Sequence, residues 1–219
     1  MKSLVLKMLL IGAVGFAGPA DATTPKLKDP AGDGDFKLVK VRGSVSLYER
    51  WFEVEPGLNV RELKAEFTVD ASSMSAFNLL KDESRAPKWM QSLDVFDVVE
   101  NQGSNWVSYV RYNIPWPLDD QDVVLRYRQS NVDGAILVSF NSDAHASCPV
   151  KDGVSRMKGV SGSWLFQPTG NNQTKVTYKI TTRNKSHFPR WVTDPLVQDN
   201  LMDTMNAFCV QAKELHVQR

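Results

Sequence analysis

Three aspartates beside a proline-rich corner are the residues of this chain whose types and spacing come closest to acid–base chemistry. Asp119, Asp120 and Asp122 follow the segment Ile114-Pro115-Trp116-Pro117. Neighbouring carboxylates can act as general acid and general base, but acids beside prolines also cap and solvate a turn. The chain has no Gly-x-Ser-x-Gly elbow and no glycine-rich phosphate loop. We therefore assign no catalytic residue and do not expect an enzyme.

The histidines and cysteines, which supply many metal ligands and nucleophiles, are few and scattered. His145, His187 and His216 lie far apart and lack the spacing of a metal site. No metal and no other cofactor is therefore expected. Cys148 and Cys209 both lie in the part of the chain that is predicted to be exported, where a disulfide is chemically permitted.

The N-terminal segment has the pattern of a secretory signal peptide. Lys2 and Lys7 precede the apolar run Met8 to Ala17, which is too short to span a bilayer, and Ala20-Asp21-Ala22 gives a small-x-small cleavage site. We expect residues 1–22 to be the signal peptide, residues 23–35 a flexible leader and residues 36–217 one domain. The protein is predicted to be exported, either periplasmic or secreted.

Charge and composition exclude some classes of partner. Removing Lys2, Lys7 and Asp21 leaves 24 of the 26 basic and 24 of the 25 acidic residues, so the mature chain has no net charge. A neutral chain lacks the basic footprint of a nucleic-acid binder. Apolar residues make up 42% of the sequence, which supports one sizeable core. We expect a monomer that binds no nucleic acid.

Extended runs with a period of two residues predict a β-sheet on both sides of the proline corner. In Arg61 to Asp70, apolar and polar residues alternate, as in a strand with one buried face. Asp133-Gly134 predicts a tight hairpin, so neighbouring strands pair antiparallel. The predicted strands are Val45–Phe52, Arg61–Asp70, Leu93–Glu100, Trp106–Asn113, Val123–Ser130, Ala135–Asn141, Arg156–Gln167 and Lys175–Arg183.

Two segments change to helical spacing. Asp70 to Met90 is predicted to be helical, with Ser72 or Ser73 as its cap and Pro87 as its terminator. Pro189 to Leu215 is predicted to form a long amphipathic C-terminal helix with Asp194-Pro195 at its opening. Its apolar stripe consists of Leu196, Leu201, Met205, Phe208, Ala212 and Leu215.

The ordered set of segments resembles the START (steroidogenic acute regulatory protein-related lipid transfer) domain of the helix-grip (Bet v 1-like, SRPBCC) superfamily. The Pro-x-Pro-Leu corner, with an acid before the next strand, carries the resemblance together with segments on both sides of it. These segments are Phe36-Lys37-Leu38-Val39, Val45 to Arg50, Lys64-Ala65-Glu66, Arg85 to Met90, Gln121-Asp122-Val123-Val124, Val160 to Pro168 and Phe188-Pro189-Arg190-Trp191. The resemblance implies a bacterial-type exported member with an α+β fold. A curved antiparallel sheet of about eight or nine strands would wrap around the C-terminal helix and enclose an apolar tunnel.

The tunnel implied by the resemblance lies between the sheet and the last helix and holds a hydrophobic ligand. Alternation along the matched strands, and the spacing of the helix, turn one set of residues toward it. The predicted ligand-binding residues are Ser108, Val110, Tyr112, Val123, Leu125, Tyr127, Val138, Phe140, Met205, Phe208 and Ala212. They would bury alkyl surface, at about 25 cal/mol per Å², with a few hydroxyls for orientation. Ordinary core packing is the alternative for each residue.

The tunnel positions depart from the pattern of sterol-carrying relatives. Those relatives place an acid and an arginine in the tunnel, and the matching positions here are Ser108 and Tyr127. A charged contact for a sterol hydroxyl is therefore not expected, unless a one-residue shift of register brings Arg126 or Arg128 inward.

The resemblance also implies a gate, formed by a loop between the middle strands and by the last helix. The matching loop is Asp143 to Gly153, which can move with fewer lost hydrogen bonds than a paired strand. The predicted gate residues are His145, Cys148, Pro149, Gly153, Phe188 and Trp191. The aromatic rings of Phe188 and Trp191 would suit contact with a membrane headgroup region, and the alternative is that both rings pack the start of the helix onto the sheet. A disulfide between Cys148 and Cys209 would close the gate, and a buried free Cys209 thiol is the alternative.

Three functions of different class remain open. The first is an exported lipid-binding and transfer protein that holds a phospholipid, fatty acid or sterol-like lipid and makes transient membrane contact. The second is an enzyme of the cyclase/aromatase type, which shares the fold but uses activated thioester substrates that are intracellular. The third is an interaction module whose own side chains fill the cavity.

Overall fold

The computed structural model describes residues 35–56, 58–114, 119–183 and 190–217. In these ranges the chain forms ten strands, three α-helices and one 3₁₀ turn at Leu79–Lys81. The strands are β1 (Lys37–Arg42), β2 (Val45–Glu55), β3 (Leu58–Val69), β4 (Leu93–Gln102), β5 (Asn105–Tyr112), β6 (Asp120–Val132), β7 (Ala135–Ser142), β8 (Val154–Arg156), β9 (Val160–Gly170) and β10 (Gln173–Thr182). The helices are α1 (Ser73–Asn78), α2 (Ala86–Trp89) and α3 (Arg190–Val217).

The strands form one sheet in the order β1-β2-β3-β10-β9-β7-β6-β5-β4. Neighbours along this path pair antiparallel, while the short β8 pairs parallel with the start of β6. The predicted α+β helix-grip architecture is therefore confirmed, with ten strands in the described ranges. The α3 helix packs on β2 and β3 and on the short helices, so the curved sheet and α3 enclose the core.

Strand β3 shows why the sheet has a fixed register. Leu63, Ala65, Phe67 and Val69 are all buried, whereas the residues between them face the other side. A shift of one residue would turn this apolar set away from the core. The β6–β7 hairpin turns at Asp133 and Gly134, where φ is 49° and 79°, as the predicted tight turn requires.

The structure confirms the predicted cap of α1 but puts two prolines at other positions in the helices than predicted. Ser72 caps α1, because its Oγ accepts a hydrogen bond from the Ser75 backbone N–H at 3.2 Å, which confirms the predicted cap. Pro87 lies in the first turn of α2 and does not end a helix, since the missing N–H of proline has no partner to lose there. Pro195 lies inside α3, which begins at Arg190. No helix in the described ranges is long and apolar enough to cross a membrane.

The core is rich in aromatic rings that fix α3 against the sheet. Phe208 of α3 lies with its ring centroid 5.1 Å from that of Trp89 and 5.3 Å from that of Trp164. Such pairs contribute about 0.5–1.5 kcal/mol each beyond the area they bury. The fully buried stripe of α3 consists of Met202, Met205, Phe208 and Ala212. Three residues of the predicted stripe, Leu196, Leu201 and Leu215, are only half-buried.

Edge strand β1 is tied to α3 by charges. Lys40 Nζ lies 2.6 Å from Asp199 Oδ1, and Arg42 pairs with both Asp199 and Asp203. These side chains are partly exposed, so each pair contributes at most about 1 kcal/mol. Together they hold β1 over one side of the helix.

Candidate ligand-binding cavity

A cavity of about 530 Å³ lies between the concave face of the sheet and α3. Aliphatic and aromatic side chains from both form most of its wall, including Leu63 of β3, Leu125 of β6, Trp164 of β9 and Met205 of α3. Binding sites for small apolar molecules have volumes of roughly 300–1,000 Å³ and few polar groups. The cavity therefore has the size and chemistry of a site for a hydrophobic ligand.

Three tyrosines, Tyr112, Tyr127 and Tyr178, supply hydroxyls to the wall of the cavity. Burial raises the pKa of Tyr127 to about 12 and raises the pKa of the Tyr112 and Tyr178 hydroxyls as well. The pKa of Tyr178 is raised further by the charges that Tyr112 and Tyr127 would carry if ionised. At neutral pH all three are uncharged hydrogen-bond donors and acceptors.

Phe140 separates two of these tyrosines and depends on a glycine behind it. Its ring centroid lies 5.7 Å from that of Tyr127 and 6.1 Å from that of Tyr178. Gly162 faces it on the neighbouring strand β9. A Cβ at position 162 would lie 2.5 Å from Phe140 Cζ and 2.1 Å from the Lys179 carbonyl oxygen. Glycine is required there because any side chain would displace the strand or the ring.

Polar residues mark the rim of the cavity, where strands β3 and β10 and the start of α3 meet. Arg61 Nη1 donates to Asp194 Oδ1 at 2.9 Å, and Arg61 Nε donates to Glu49 Oε2 at 2.6 Å. The Arg61–Asp194 pair therefore connects β3 to α3 across the rim. Other polar residues of the cavity lining are Asn59, Gln91, Thr182, Arg183, Thr193, Asn200 and Thr204.

Comparison with known proteins identifies the family. The model of the START domain matches residues 45–219, which is most of the chain. The chain belongs to the START domain family. It is also similar to the uncharacterised protein PA1579 of Pseudomonas aeruginosa, at 23% identity over 202 residues, which are 92% of this chain and 94% of that protein.

Solved structures show the same fold. The STAR-related lipid transfer protein of Xanthomonas axonopodis superposes with a TM-score of 0.70 at 22% identity, covering 81% of this chain and 98% of that one. Human STARD10 superposes with a TM-score of 0.68 at 19% identity, covering 83% of this chain and 74% of that one. At these identities the likeness shows that the chain has the fold of a START domain.

The structure divides the predicted ligand-binding residues of this START domain into two groups. The first group lines the cavity and consists of Tyr112, Val123, Leu125, Tyr127, Phe140 and Met205. The second group is buried in the surrounding core and consists of Ser108, Val110, Val138, Phe208 and Ala212. Contact with a ligand remains a prediction for the first group.

The register of β5 and β6 determines whether Arg126 and Arg128 or the matched residues Ser108 and Tyr127 face the concave side of the sheet. Ser108 and Tyr127 are buried on the concave side. Arg126 turns to the outer face, where its Nε donates to Asp143 Oδ2 at 2.6 Å, and Arg128 is exposed. The concave face at these two matched positions therefore carries hydroxyls and no charge.

The predicted gate loop packs on the other side of the sheet, and its role as a gate stays a prediction. None of the residues from Asp143 to Gly153 lines the cavity. Cys148 packs on Val107, Tyr109 and Val124, which face outward. His145 Nε2 lies 3.2 Å from Glu100 Oε2 of edge strand β4. Pro149 and Gly153 belong to the same outer loop, Trp191 is 80% exposed on α3, and Phe188 lies outside the described residues.

The same geometry separates the two cysteines. Cys209 of α3 is half-buried against the main core, whereas Cys148 lies in the outer cluster beyond the sheet. Both are free thiols, and burial raises the pKa of Cys209 to about 11. Of the two alternatives for these cysteines, the structure has the free thiols, and the sheet stands between the two residues.

The aspartates near the proline corner have structural partners. Asp120 Oδ1 accepts a hydrogen bond from the Ile114 backbone N–H at 3.0 Å and so closes the corner. Asp122 is buried on the outer face, where Arg156 donates to its two oxygens at 2.5 and 2.9 Å and the Tyr109 hydroxyl donates at 3.0 Å. Asp119 is exposed. The corner residues 115–118 lie outside the described ranges.

Several lining residues were not among the sequence predictions. Tyr178 follows the same alternation as Val176 and Ile180 in β10, so the rule applied to β5–β7 would have found it. Val197 and Leu201 stand one helical turn apart before Met205 and were detectable by spacing. Arg61 and Asp194 gave no local signal, because their pairing joins residues 133 positions apart.

Proposed function

We propose that this START domain is a carrier that holds the apolar part of a lipid in the cavity between the sheet and α3. The supporting observation is the cavity itself, which has about 530 Å³ of space and a wall made mainly of aliphatic and aromatic side chains. Transfer of alkyl surface from water into such a wall is favourable by about 25 cal/mol per Å². The similar Xanthomonas protein is described as a lipid transfer protein, which supports the same role.

The groups that line the cavity favour a carrier over an enzyme. The Asp194 carboxylate at the rim is ion-paired with Arg61. The three tyrosine hydroxyls have raised pKa values, so at neutral pH they are poor bases and suit hydrogen bonding. These features position a ligand, and we propose that the protein releases it unchanged.

Contact with a membrane would deliver the ligand. Trp191 is 80% exposed three residues before Asp194, and Trp51, which lines the cavity, is 43% exposed. Indole rings are favourable in the headgroup region of a bilayer. We therefore propose transient docking of this end on a bilayer. Trp191→Ala should slow lipid transfer between vesicles, and an unchanged rate would show that docking uses another surface.

Export remains part of the proposal and rests on the N-terminal sequence alone, which lies outside the described residues. Cleavage after Ala22 would leave a mature chain that begins at Thr23. N-terminal sequencing of protein from the cell envelope and medium tests this, and a retained Met1 in exported material would contradict it.

Two tryptophan substitutions on the same helix test the carrier function. Val197 lines the cavity, whereas Val210 is 56% exposed on the outer side of α3. Val197→Trp fills the site and should reduce the amount of lipid that co-purifies, as measured by native mass spectrometry and solvent extraction. Val210→Trp adds the same side chain outside the site and should retain wild-type occupancy. Equal occupancy of both variants, or an empty wild-type protein that accepts no lipid from vesicles, would refute the carrier function.

A further inference from the structure

A serine, a histidine and a glutamate lie in contact on the outer face of the sheet, on the side opposite to the cavity. Ser147 Oγ lies 2.7 Å from His145 Nδ1, and His145 Nε2 lies 3.2 Å from Glu100 Oε2. Ser147 is exposed, whereas the side chains of His145 and Glu100 are 21% and 31% exposed. A hydroxyl on one imidazole nitrogen and a carboxylate on the other form the arrangement that activates a serine nucleophile. None of the three residues lines the cavity.

Hydrogen bonds determine which nitrogen of His145 is free to accept a proton. The Ser147 backbone N–H, which can only donate, donates to His145 Nδ1 at 3.4 Å. Nδ1 therefore carries the lone pair, and in the neutral imidazole the proton lies on Nε2, which donates it to the Glu100 carboxylate. The Ser147 hydroxyl then donates to Nδ1. His145 is thus a base in contact with the proton that Ser147 has to lose when it attacks an electrophile.

Carboxylates from two elements would stabilise the positive charge that His145 gains with this proton. Glu100 belongs to edge strand β4, and Asp143 belongs to the same loop as His145. The pKa of Asp143 is lowered mainly by the hydrogen bond from Arg126 and, to a smaller extent, by the charge of a protonated His145. Asp143 and the imidazolium therefore attract one another, while Arg126 of β6 partly offsets the charge of Asp143. An opposite charge close to a base favours its protonated form.

The loop holds the serine and the histidine in a fixed relation to one another. The Cys148 backbone N–H donates to the His145 carbonyl oxygen at 2.9 Å and closes a turn that contains Ser147. Cys148 is itself buried in the outer apolar cluster, and its carbonyl oxygen accepts a hydrogen bond from Arg156 Nη1 at 3.2 Å. The nucleophile and its base are therefore in place before a substrate arrives, and such positioning lowers the barrier to reaction.

We propose that Ser147 is an acylation site that takes an acyl group from an activated ester or thioester, with His145 as its base and Glu100 as the residue that positions the imidazole. Ser147 Oγ forms a bond to the acyl carbon, and the bond from that carbon to the oxygen or sulfur of the donor breaks. The Oγ proton passes to His145 Nδ1 and from there to the departing alcohol or thiol. This modification of the outer loop does not depend on the carrier function.

The acyl donor p-nitrophenyl butyrate tests this site on the wild-type protein. Peptide mass spectrometry after increasing times of exposure measures the rate at which each serine is acylated. Ser84 is the control within the same chain, because it is exposed and its Oγ donates to a carboxylate, Asp82 Oδ1, at 2.6 Å in place of an imidazole. We expect Ser147 to be acylated about a hundredfold faster than Ser84, which is at the lower end of what a positioned general base contributes.

Two variants separate the chemical role of the imidazole from its structural role in the turn. In His145→Asn, the amide oxygen can accept the Ser147 backbone N–H but is not a base, so the urea midpoint should stay unchanged while the acylation of Ser147 falls to the rate of Ser84. Glu100→Gln keeps a hydrogen-bond acceptor without its charge and should slow acylation about tenfold. The pH of half-maximal acylation should also fall in this variant, because the charge that favours the protonated imidazole is absent.

The outcomes decide the proposal and keep it separate from the cavity. Equal acylation of Ser147 and Ser84 in the wild-type protein would overturn it, and so would undiminished acylation of Ser147 in His145→Asn. Val197→Trp fills the cavity and should leave the acylation rate unchanged. A loss of acylation in that variant would contradict a site on the outer face. A protein that acylates Ser147 and carries no lipid would refute the carrier function alone.

Discussion

Arg61 and Asp194 join strand β3 to the start of α3 through a 2.9 Å contact at the rim of the cavity. Both side chains are partly buried, with 16% and 21% of their surface exposed. Because the outer loop does not line the cavity, we expect this end of α3 to be the movable wall. Separation of the helix from β3 would break the Arg61–Asp194 pair.

We expect Asp194→Asn to accelerate release of a bound single-chain fluorescent lipid about two- to fivefold. The estimate follows from the 0.2–1 kcal/mol that a partly exposed ion pair contributes. Arg61 keeps its contact with Glu49, so the free energy of unfolding should change by less than about 1 kcal/mol. Stopped-flow fluorescence measures the release rate.

Asp199→Asn is the matched control, because Asp199 lies on the same helix but pairs with Lys40 and Arg42 away from the cavity. Its release rate should equal that of the wild-type protein. Equal acceleration by the two variants would show that general loosening of α3, and not the rim contact, sets the rate.

Alkaline pH should destabilise the folded protein through its buried tyrosines. The pKa of Tyr127 is about 12 in the folded state, against 10.0 for an ordinary tyrosine. Because the folded-state pKa is raised, stability is complete below pH 10 and decreases as pH rises toward 12. Tyr127 alone should account for a loss of about 1 kcal/mol at pH 11.

Urea unfolding at pH 8 and pH 11 measures this loss. Tyr127→Phe should show a smaller decrease between the two pH values than the wild-type protein, because it removes one titrating group. An equal decrease in Tyr127→Phe and the wild-type protein would mean that Tyr127 titrates normally.

The outer face of the sheet contains a buried ion pair whose loss should be costly. Asp122 is 1% exposed and receives two hydrogen bonds from Arg156, which also donates to the Cys148 carbonyl oxygen at 3.2 Å. Arg156→Met would leave a buried carboxylate whose charge is uncompensated. We expect the free energy of unfolding to fall by about 3–5 kcal/mol.

Arg126→Met is a close control for this variant, since Arg126 also pairs with an aspartate, Asp143, on the same face. The side chains of that pair are 42% and 39% exposed, so its removal should cost no more than about 1 kcal/mol. Urea denaturation of both variants compares them, and similar costs would contradict the buried character of the Asp122–Arg156 pair.

The sheet and α3 were predictable because each buries one face against the core. Burial of one face makes apolar residues recur at a regular spacing along the sequence. In β3 the alternation of Leu63, Ala65, Phe67 and Val69 admits one register only. The division between cavity wall and core was not predictable, since both require apolar side chains. Val110 packs in the core and Val123 lines the cavity, although the two are paired directly across β5 and β6.

The face of the sheet on which the outer loop packs was not predicted, although the nearly continuous apolar run from Trp106 to Val110 gave a signal for it. Strand β5 is buried on both faces from Trp106 to Val110, so some segment has to cover its outer side. Val107, Tyr109 and Val124 form that outer apolar surface, and Cys148 of the loop packs on it. The resemblance to a family loop gave an order along the chain but not the face of the sheet.

Gly162→Ala should distort the cavity, because position 162 lies against the ring of Phe140, which lines the cavity. The added methyl would meet the Lys179 carbonyl oxygen at 2.1 Å and Phe140 Cζ at 2.5 Å, so the strand must shift and the ring must move into the cavity. Overpacking of this kind costs about 1–3 kcal/mol. We expect a lower urea midpoint together with weaker binding of single-chain lipid probes. Ser161→Ala, on the preceding residue of β9, should change the stability by no more than about 0.5 kcal/mol and leave binding intact. A Gly162→Ala protein with wild-type stability and binding would show that the Phe140 ring and strand β9 have room that the structure does not indicate.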